Sequence, residues 1–267
     1  MKYVNKIMFS LFCITLTACT TVPITGRQQL NLIPDSSMLS MSFQEYDKFL
    51  QGNQQCNDQE KIEMVRRVGV SIQHAVEKYL TQNNMKDELA NYAWEFHLVE
   101  SKEVNAWCMP GGKVVVYTGI LPYTQDDAGL AVVLGHEIAH AVAKHGNERM
   151  SQGLLAQLGG MALSEALQSE PAATQQLWMA TYGLGAQYGV LMPYGRLQEN
   201  EADHLGLIFM AMAGYDPHVA VGFWQRMSEK KGGGAPLEFL STHPSDRTRI
   251  KNIESLIPEA MKYYRKQ

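Results

Sequence analysis

Between Gln59 and Gln82, apolar residues Val65, Val68, Ile72, Val76 and Leu80 recur at intervals of three or four, and Met64 and Tyr79 widen the stripe. That spacing predicts an amphipathic helix with one face turned to a core. Ser36 to Gln51 shows the same helical spacing. The period changes at Asn91 to Glu100, where Asn-Tyr-Ala-Trp-Glu-Phe-His-Leu-Val-Glu alternates and is rich in aromatic residues, predicting a strand. Pro110-Gly111-Gly112 predicts a turn, and Lys113 to Thr118 predicts a second strand. Asp126 or Asp127 then stands where an N-cap is wanted for a helix from Ala128 to about Met150. Helical segments fill most of 150–190, with Gly159-Gly160 and Pro171 as interruptions, and Gly232-Gly233-Gly234 predicts a loop. These elements predict an α+β fold, mainly α, with a small β-sheet, in a single domain over residues 35–267.

The first residues obey a different pattern. Lys2 and Lys6 precede an uncharged apolar run of 12 residues, Ile7 to Ala18. A bilayer span needs about 20 such residues, so this run fits the core of a secretory signal instead. It ends in Leu16-Thr17-Ala18-Cys19, which resembles the lipobox of bacterial lipoproteins. The resemblance implies a signal peptide over 1–18, cleavage before Cys19, and lipid on its thiol; an ordinary secretory signal or a buried apolar N-terminal strand is the alternative. Thr20 and Thr21 follow without the acidic neighbour that resembles an inner-membrane retention signal, which favours an outer-membrane anchor facing the periplasm. Residues 19–34, with Pro23, Gly26 and Pro34, read as a lipidated N-terminus and an extended leader.

Removing residues 1–18 takes away two lysines and moves the formal net charge from −4 to −6. No basic stripe remains, so nucleic-acid binding lacks an electrostatic basis. The length suits one domain with a sizeable core, and no second apolar run is long enough to cross a membrane. Of four cysteines, Cys13 leaves with the signal and Cys19 takes lipid. Cys56 and Cys108 are left either to pair in an oxidising periplasm or to stay as two buried thiols.

The candidate chemistry centres on His136-Glu137-Ile138-Ala139-His140. Residues four apart on a helix lie about 40° from each other around the axis, so both imidazoles project from one face. Two neutral imidazoles can hold two corners of a tetrahedral zinc ion, leaving room for a third ligand and a water. Glu137 can reach the open side and take the proton from that water. Glu199-Asn200-Glu201-Ala202-Asp203 offers the third ligand. Glu199 and Asp203 share a face, whereas Glu201 lies about 200° round and is expected to be exposed or salt-bridged. Glu199 would then bind metal while Asp203 fixes a ligating histidine through its far N–H. Alone, the stretch would read as a solvated acidic helix start.

Several short pieces, in order, resemble the HtpX/CAAX-prenyl-protease-type family of gluzincin metallopeptidases, in the style of its soluble BepA-like and Oma-like members. They are Thr25-Gly26-Arg27, Asn105-Ala106, Pro110-Gly111-Gly112, the HExxH run, Glu199-x-x-Ala202-Asp203 and Thr242-His243-Pro244. The resemblance covers roughly residues 24 to 255. It implies a mostly helical fold with a small sheet beside the active-site helix, and one zinc ion (Zn2+) bound by His136, His140 and Glu199. It places Asn105 and Ala106 at a cleft border where an extended substrate can pair with the strand edge; an ordinary hairpin is the alternative. It also places His243 over the site, either donating to an oxyanion or swinging in as a fourth ligand that holds the enzyme latent. Cys108, so near the cleft, is a remote candidate for metal contact.

The other histidines, His74, His97, His145, His204 and His218, lack partners at ligand spacing and read as packing or surface groups. Arg196, one turn before Glu199, either orients a carboxylate or substrate or forms a surface ion pair. The expected function is a zinc metalloendopeptidase, lipid-anchored in the bacterial envelope, whose substrates are unfolded or misassembled envelope proteins. Two alternatives come from other classes: a chaperone-like binding module for outer-membrane proteins with latent proteolysis, and a structural zinc protein closed by His243.

Overall fold

The computed structural model describes residues 19–23, 25–170, 172–187, 191–229, 238–243 and 247–265. The signal segment, the Gly232–Gly234 run, Pro171 and Pro244 lie outside them. The elements are β1 (Cys19–Thr21), β2 (Gln28–Leu30), α1 (Asp35–Gly52), α2 (Gln59–Gln82), β3 (Glu95–Val99), β4 (Ala106–Met109), β5 (Lys113–Tyr117), α3 (Leu121–Thr124), α4 (Asp127–Val142), α5 (His145–Ala166), α6 (Ala172–Ala186), α7 (Met192–Met212), α8 (Val219–Glu229), α9 (Glu238–Thr242) and α10 (Arg247–Ala260). The fold is α+β and mainly helical, with the two predicted strands and the predicted long helices in place. They fall into two compact units, one of residues 1–38 with 144–198 and one of 39–143 with 199–267.

In the larger unit, the apolar stripe of α2 is buried as its period requires, from Val65 through Leu80. It packs against β3 and α4. The sheet has the order β3-β5-β4, with β3 parallel and β4 antiparallel to the central strand. All five residues of β5 are buried, as expected of a central strand covered on both faces. Among the described residues β4 is therefore an edge strand, paired with β5 from Ala106↔Val116 to Met109↔Lys113. It forms a hairpin with β5 across the Pro110–Gly112 turn and packs against α4.

Asp126 caps α4, its side chain accepting from the Gly129 N–H at 2.8 Å. Asp127 instead pairs with Arg67. The helix expected to run to Met150 ends at Val142 and a new one starts at His145. Lys144 between them has φ 56°, a left-handed conformation that breaks the hydrogen-bond ladder without the glycine or proline that would announce it.

α4 and α7 approach each other at Gly135 and Gly206. A Cβ on Gly206 would sit 2.9 Å from the Gly135 carbonyl carbon and from the His136 nitrogen; one on Gly135 would sit 2.8 Å from the Gly206 carbonyl oxygen. This contact sets the helix carrying His136 and His140 directly against the helix carrying Glu199. Gly206→Ala is expected to lower stability by about 1–3 kcal/mol, because the clash is with backbone and outweighs the roughly 1 kcal/mol of helix propensity gained. Gly153→Ala, in open space on α5, is the control and is expected to be neutral or stabilising by up to about 1 kcal/mol. Urea unfolding midpoints of both chains check this, and a Gly206→Ala chain as stable as wild type would show that the helices can part freely.

In the smaller unit, β1 and β2 form an antiparallel ribbon with Cys19 opposite Leu30. This segment is bound to α5. Arg27 makes two charge-assisted hydrogen bonds to Glu148, at 2.7 and 2.8 Å, the Leu32 N–H donates to Ser151, and Asn147 donates to the Ile33 carbonyl. Gly159-Gly160 does not interrupt α5, which runs through to Ala166. Gly159 instead makes room for Tyr182 of α6, whose hydroxyl would lie 2.3 Å from a Cβ there. α5 ends at Ala166 and α6 starts at Ala172.

Candidate metal centre

The larger unit alone builds the site. α4 supplies His136, Glu137 and His140; α7 supplies Glu199 and Asp203; His243 follows α9, and α10 supplies Arg249. All seven are buried. His136 Nε2 and His140 Nε2 are 3.1 Å apart, and each lies 3.3 Å from an oxygen of Glu199, His136 from Oε2 and His140 from Oε1. A tetrahedral zinc site with bonds of about 2.0–2.1 Å has neighbouring ligand atoms about 3.3–3.4 Å apart, so these three donors fit the ion. His243 Nδ1 joins them, 3.1 Å from His136 Nε2 and 2.8 Å from Glu199 Oε2. Among the described residues, His136, His140, Glu199 and His243 form the cluster able to hold a metal, their ligand atoms within 4.8 Å of one another.

Around this set, the partners of the ligands are in place. His136 Nδ1 is 3.0 Å from Asp203 Oδ1. Arg249 grips the same carboxylate, Nε to Oδ2 and Nη2 to Oδ1, both at 2.8 Å. Its guanidinium carbon lies 3.5 Å from the centroid of the Trp224 ring, which meets His136 edge-on. Burial would push the Asp203 carboxyl up, but the charges of Arg249 and His136 hold it below the usual range. Burial likewise opposes ionisation of Glu199, yet hydrogen bonds from His136, His140 and His243 hold its carboxyl far below the usual carboxylate range. At His136, burial disfavours the charged ring, but Asp203 and Glu199 outweigh it and raise its pKa.

Glu137 stands one residue round from His136, its Oε1 3.3 Å from His243 Nε2. His243 thus touches Glu199 with one ring nitrogen and Glu137 with the other. The Phe239 ring, 4.9 Å away between centroids, backs it, and the Phe239 carbonyl accepts from its backbone N–H at 2.8 Å.

This geometry fits a metallopeptidase. The sequence profile of Peptidase family M48 matches residues 69–257. The chain belongs to peptidase family M48. It is 38% identical to the mitochondrial metalloendopeptidase OMA1 of Schizosaccharomyces pombe over 180 residues, 64% of this chain and 49% of that protein. Identity with OMA1 of Bos taurus is 33% over 249 residues, 90% of this chain and 46% of that one. The beta-barrel assembly-enhancing protease of Escherichia coli (strain K12) is 25% identical over 167 residues, 61% of this chain and 34% of the relative. The chain spans about half the length, or less, of these relatives. The cluster of three imidazoles and one carboxylate supplies donors suited to zinc.

Other expectations resolve against the structure. Glu201 is buried rather than exposed, because α7 is buried around nearly its whole circumference from Gln198 to Ala211. Arg196 is exposed, and the guanidinium beside the site carboxylates is Arg249, which the sequence reading missed. A signal for it exists: Arg249 stands four residues before Ile253 and eight before Ile257 on the buried stripe of α10, where a cation needs a buried partner. Cys56 and Cys108 are both free, so no disulfide joins them. Burial and the nearby Glu137 charge push the Cys108 thiol well up, which keeps it protonated and unsuited to metal. His145 and His204 stand apart from the cluster, His204 pairing with Glu259 at 3.0 Å.

Proposed function

We propose that the chain is an endopeptidase tethered by lipid in a bacterial envelope, where it cuts unfolded or misassembled envelope proteins. The observation that carries the catalytic part is the donor triangle of His136, His140 and Glu199, with Glu137 on its border. His136, His140 and Glu199 would hold zinc, which would supply Lewis-acid polarisation of a peptide carbonyl and a more acidic water. Glu137 takes the proton from the attacking water and returns it to the leaving amide nitrogen. Asp203, clamped by Arg249, fixes the ring of His136 through Nδ1. Asn105 and Ala106 lie where the chain enters β4, whose outer edge has no strand partner among the described residues, and an extended substrate pairs with that edge through its main chain. Such pairing suits unfolded proteins, since it asks little of their sequence.

The lipobox-like Leu16-Thr17-Ala18-Cys19 supports the tether, and the similarity to a protease named for β-barrel assembly supports the compartment and the substrate class. The test uses the full chain in its membrane. Wild type should sediment with membranes and degrade an unfolded outer-membrane protein but spare its folded form, and a zinc chelator should stop cleavage until zinc is restored. Cys19→Ser should leave the chain unlipidated and release it from membranes. Chelator-resistant cleavage would remove the catalytic reading; unchanged lipidation in Cys19→Ser would remove the anchor.

One observation favours a latent resting form. His243 Nδ1 stands with the ligand atoms of His136 and Glu199, while its Nε2 faces Glu137. We propose that His243 latches the site and must swing away for catalysis. Replacing it with Ala is then expected to raise cleavage of an unfolded protein several-fold at unchanged zinc content. A drop in kcat would instead assign His243 to oxyanion stabilisation, which is worth a few kcal/mol.

A further inference from the structure

The α5–α6 hairpin of the smaller unit carries no charged residue from Met150 to Ser164 or from Ala172 to Ala186. Charge-free helices of this kind are normally buried or placed in lipid. Among the described residues, nothing in α6 is buried and α5 is buried only up to Ser151. Leu154, Leu158, Met161, Leu177, Trp178 and Leu184 are each between 42% and 67% exposed. Among the described residues, every large exposed apolar side chain except Met41 falls between positions 150 and 197.

The arrangement of these side chains narrows what covers them. Tyr182 donates to the Ala156 carbonyl at 2.8 Å and packs on Gly159, which marks the sides that the two helices turn towards each other. Leu154, Leu158 and Met161 lie about 140–200° round from Ala156, and Leu177 and Leu184 about 140–160° round from Tyr182. The apolar stripes therefore run along opposed outer flanks of the hairpin. A groove on a partner protein, or the matching face of a second copy, covers one side of a helix pair. A bilayer interface into which the pair sinks wraps both flanks at once.

Charge placement says how the hairpin would sit. Glu165 and Glu170 stand at the connection between the helices, and driving them into acyl chains would be costly, so tip-first insertion is disfavoured. No Lys or Arg occurs from Met150 to Gly195, so the attraction comes from apolar area rather than from anionic headgroups. Trp178, about 40° round from Tyr182, borders the inner side of the hairpin but is 53% exposed, and adds the amphipathic ring favoured at such boundaries. The position of Cys19 agrees. Its pairing partner Leu30 lines a cavity of about 670 Å³ together with Leu155 and Tyr182, so the proposed acylation point belongs to the same compact unit as the hairpin.

We propose that the α5–α6 hairpin is a lipid-contacting element that lies along a bilayer with its outer flanks at the acyl boundary. This goes beyond the anchor read at Cys19, which would bring the hairpin close to lipid but would not seat it. The test reconstitutes the full chain in phosphatidylcholine vesicles with or without bromine on the acyl chains and follows tryptophan emission, the Trp178→Phe chain giving the part due to Trp178. Bromolipid is expected to quench Trp178 and to shield it from aqueous iodide, equally at low and high salt. The double variant Leu158→Gln with Leu177→Gln should lose more than half of that quenching at unchanged zinc content. Iodide access without bromolipid quenching would overturn the proposal. Shielding from iodide without bromolipid quenching would also overturn it, assigning the hairpin to a second copy or another protein. Glu137→Gln should leave the quenching unchanged, so a failure of the catalytic reading and a failure of this one are told apart.

Discussion

Glu137→Gln is expected to lower kcat on an unfolded protein substrate by about 10²–10⁴-fold, the usual contribution of a positioned general base. That corresponds to roughly 3–5 kcal/mol of barrier at about 1.36 kcal/mol per tenfold. The substitution keeps the size and shape of the side chain and removes only its capacity to take a proton. Glu137 lies outside the cluster of ligand atoms, so zinc content should stay at the wild-type level. KM should change little, because the lost interaction belongs to the transition state. Quantified zinc and steady-state kinetics on the same preparations check the prediction. A kcat within threefold of wild type would take the base role away from Glu137. Lost zinc would mean instead that its carboxylate helps to hold the metal. A chain that loses cleavage yet still fully supports envelope assembly in cells would favour the binding-module alternative.

What the sequence made legible at this site follows from distance along the chain. His136 and His140 share a face because four residues make about one helical turn, and Glu199 and Asp203 share one for the same reason. Each pair is a local fact, and the structure brings the two faces together. The relation between the helices is not local. It depends on Gly135 meeting Gly206, and neither glycine stands out in sequence because isolated glycines inside helices usually mark nothing. The burial of Glu201 was hidden for a similar reason. Helical angles say which residues share a side but not how many sides are covered, and α7 is covered on nearly all of them. The left-handed turn at Lys144 had no glycine or proline to signal it. Among the strands, alternation marked β3, and the glycine turn marked the β4–β5 hairpin.

Arg249→Met is expected to destabilise the chain by about 3–5 kcal/mol, the cost of removing one partner of a buried ion pair. Arg249 is 4% exposed and Asp203 5%, and the two share hydrogen bonds of 2.8 Å at both carboxylate oxygens. Methionine fills much of the same space over Trp224 but leaves the Asp203 charge with His136 alone. Against a total stability of about 5–15 kcal/mol, such a loss is large. It should also reach the metal. With its clamp gone, Asp203 holds the His136 ring less firmly, and losing such a partner typically costs 10–100-fold in metal affinity. The double variant Arg249→Met with Asp203→Leu separates charge from shape. If the penalty is an uncompensated buried carboxylate, removing it as well should recover most of the unfolding free energy, since a buried pair exchanged for apolar residues is often nearly neutral. Zinc affinity should stay low in the double variant, because the acceptor for His136 Nδ1 is gone. Urea unfolding and competitive chelation measure the two quantities separately. A single variant within about 1 kcal/mol of wild type would show that the Asp203 charge does not depend on Arg249. A double variant that regained full zinc affinity would show that Asp203 does not position His136.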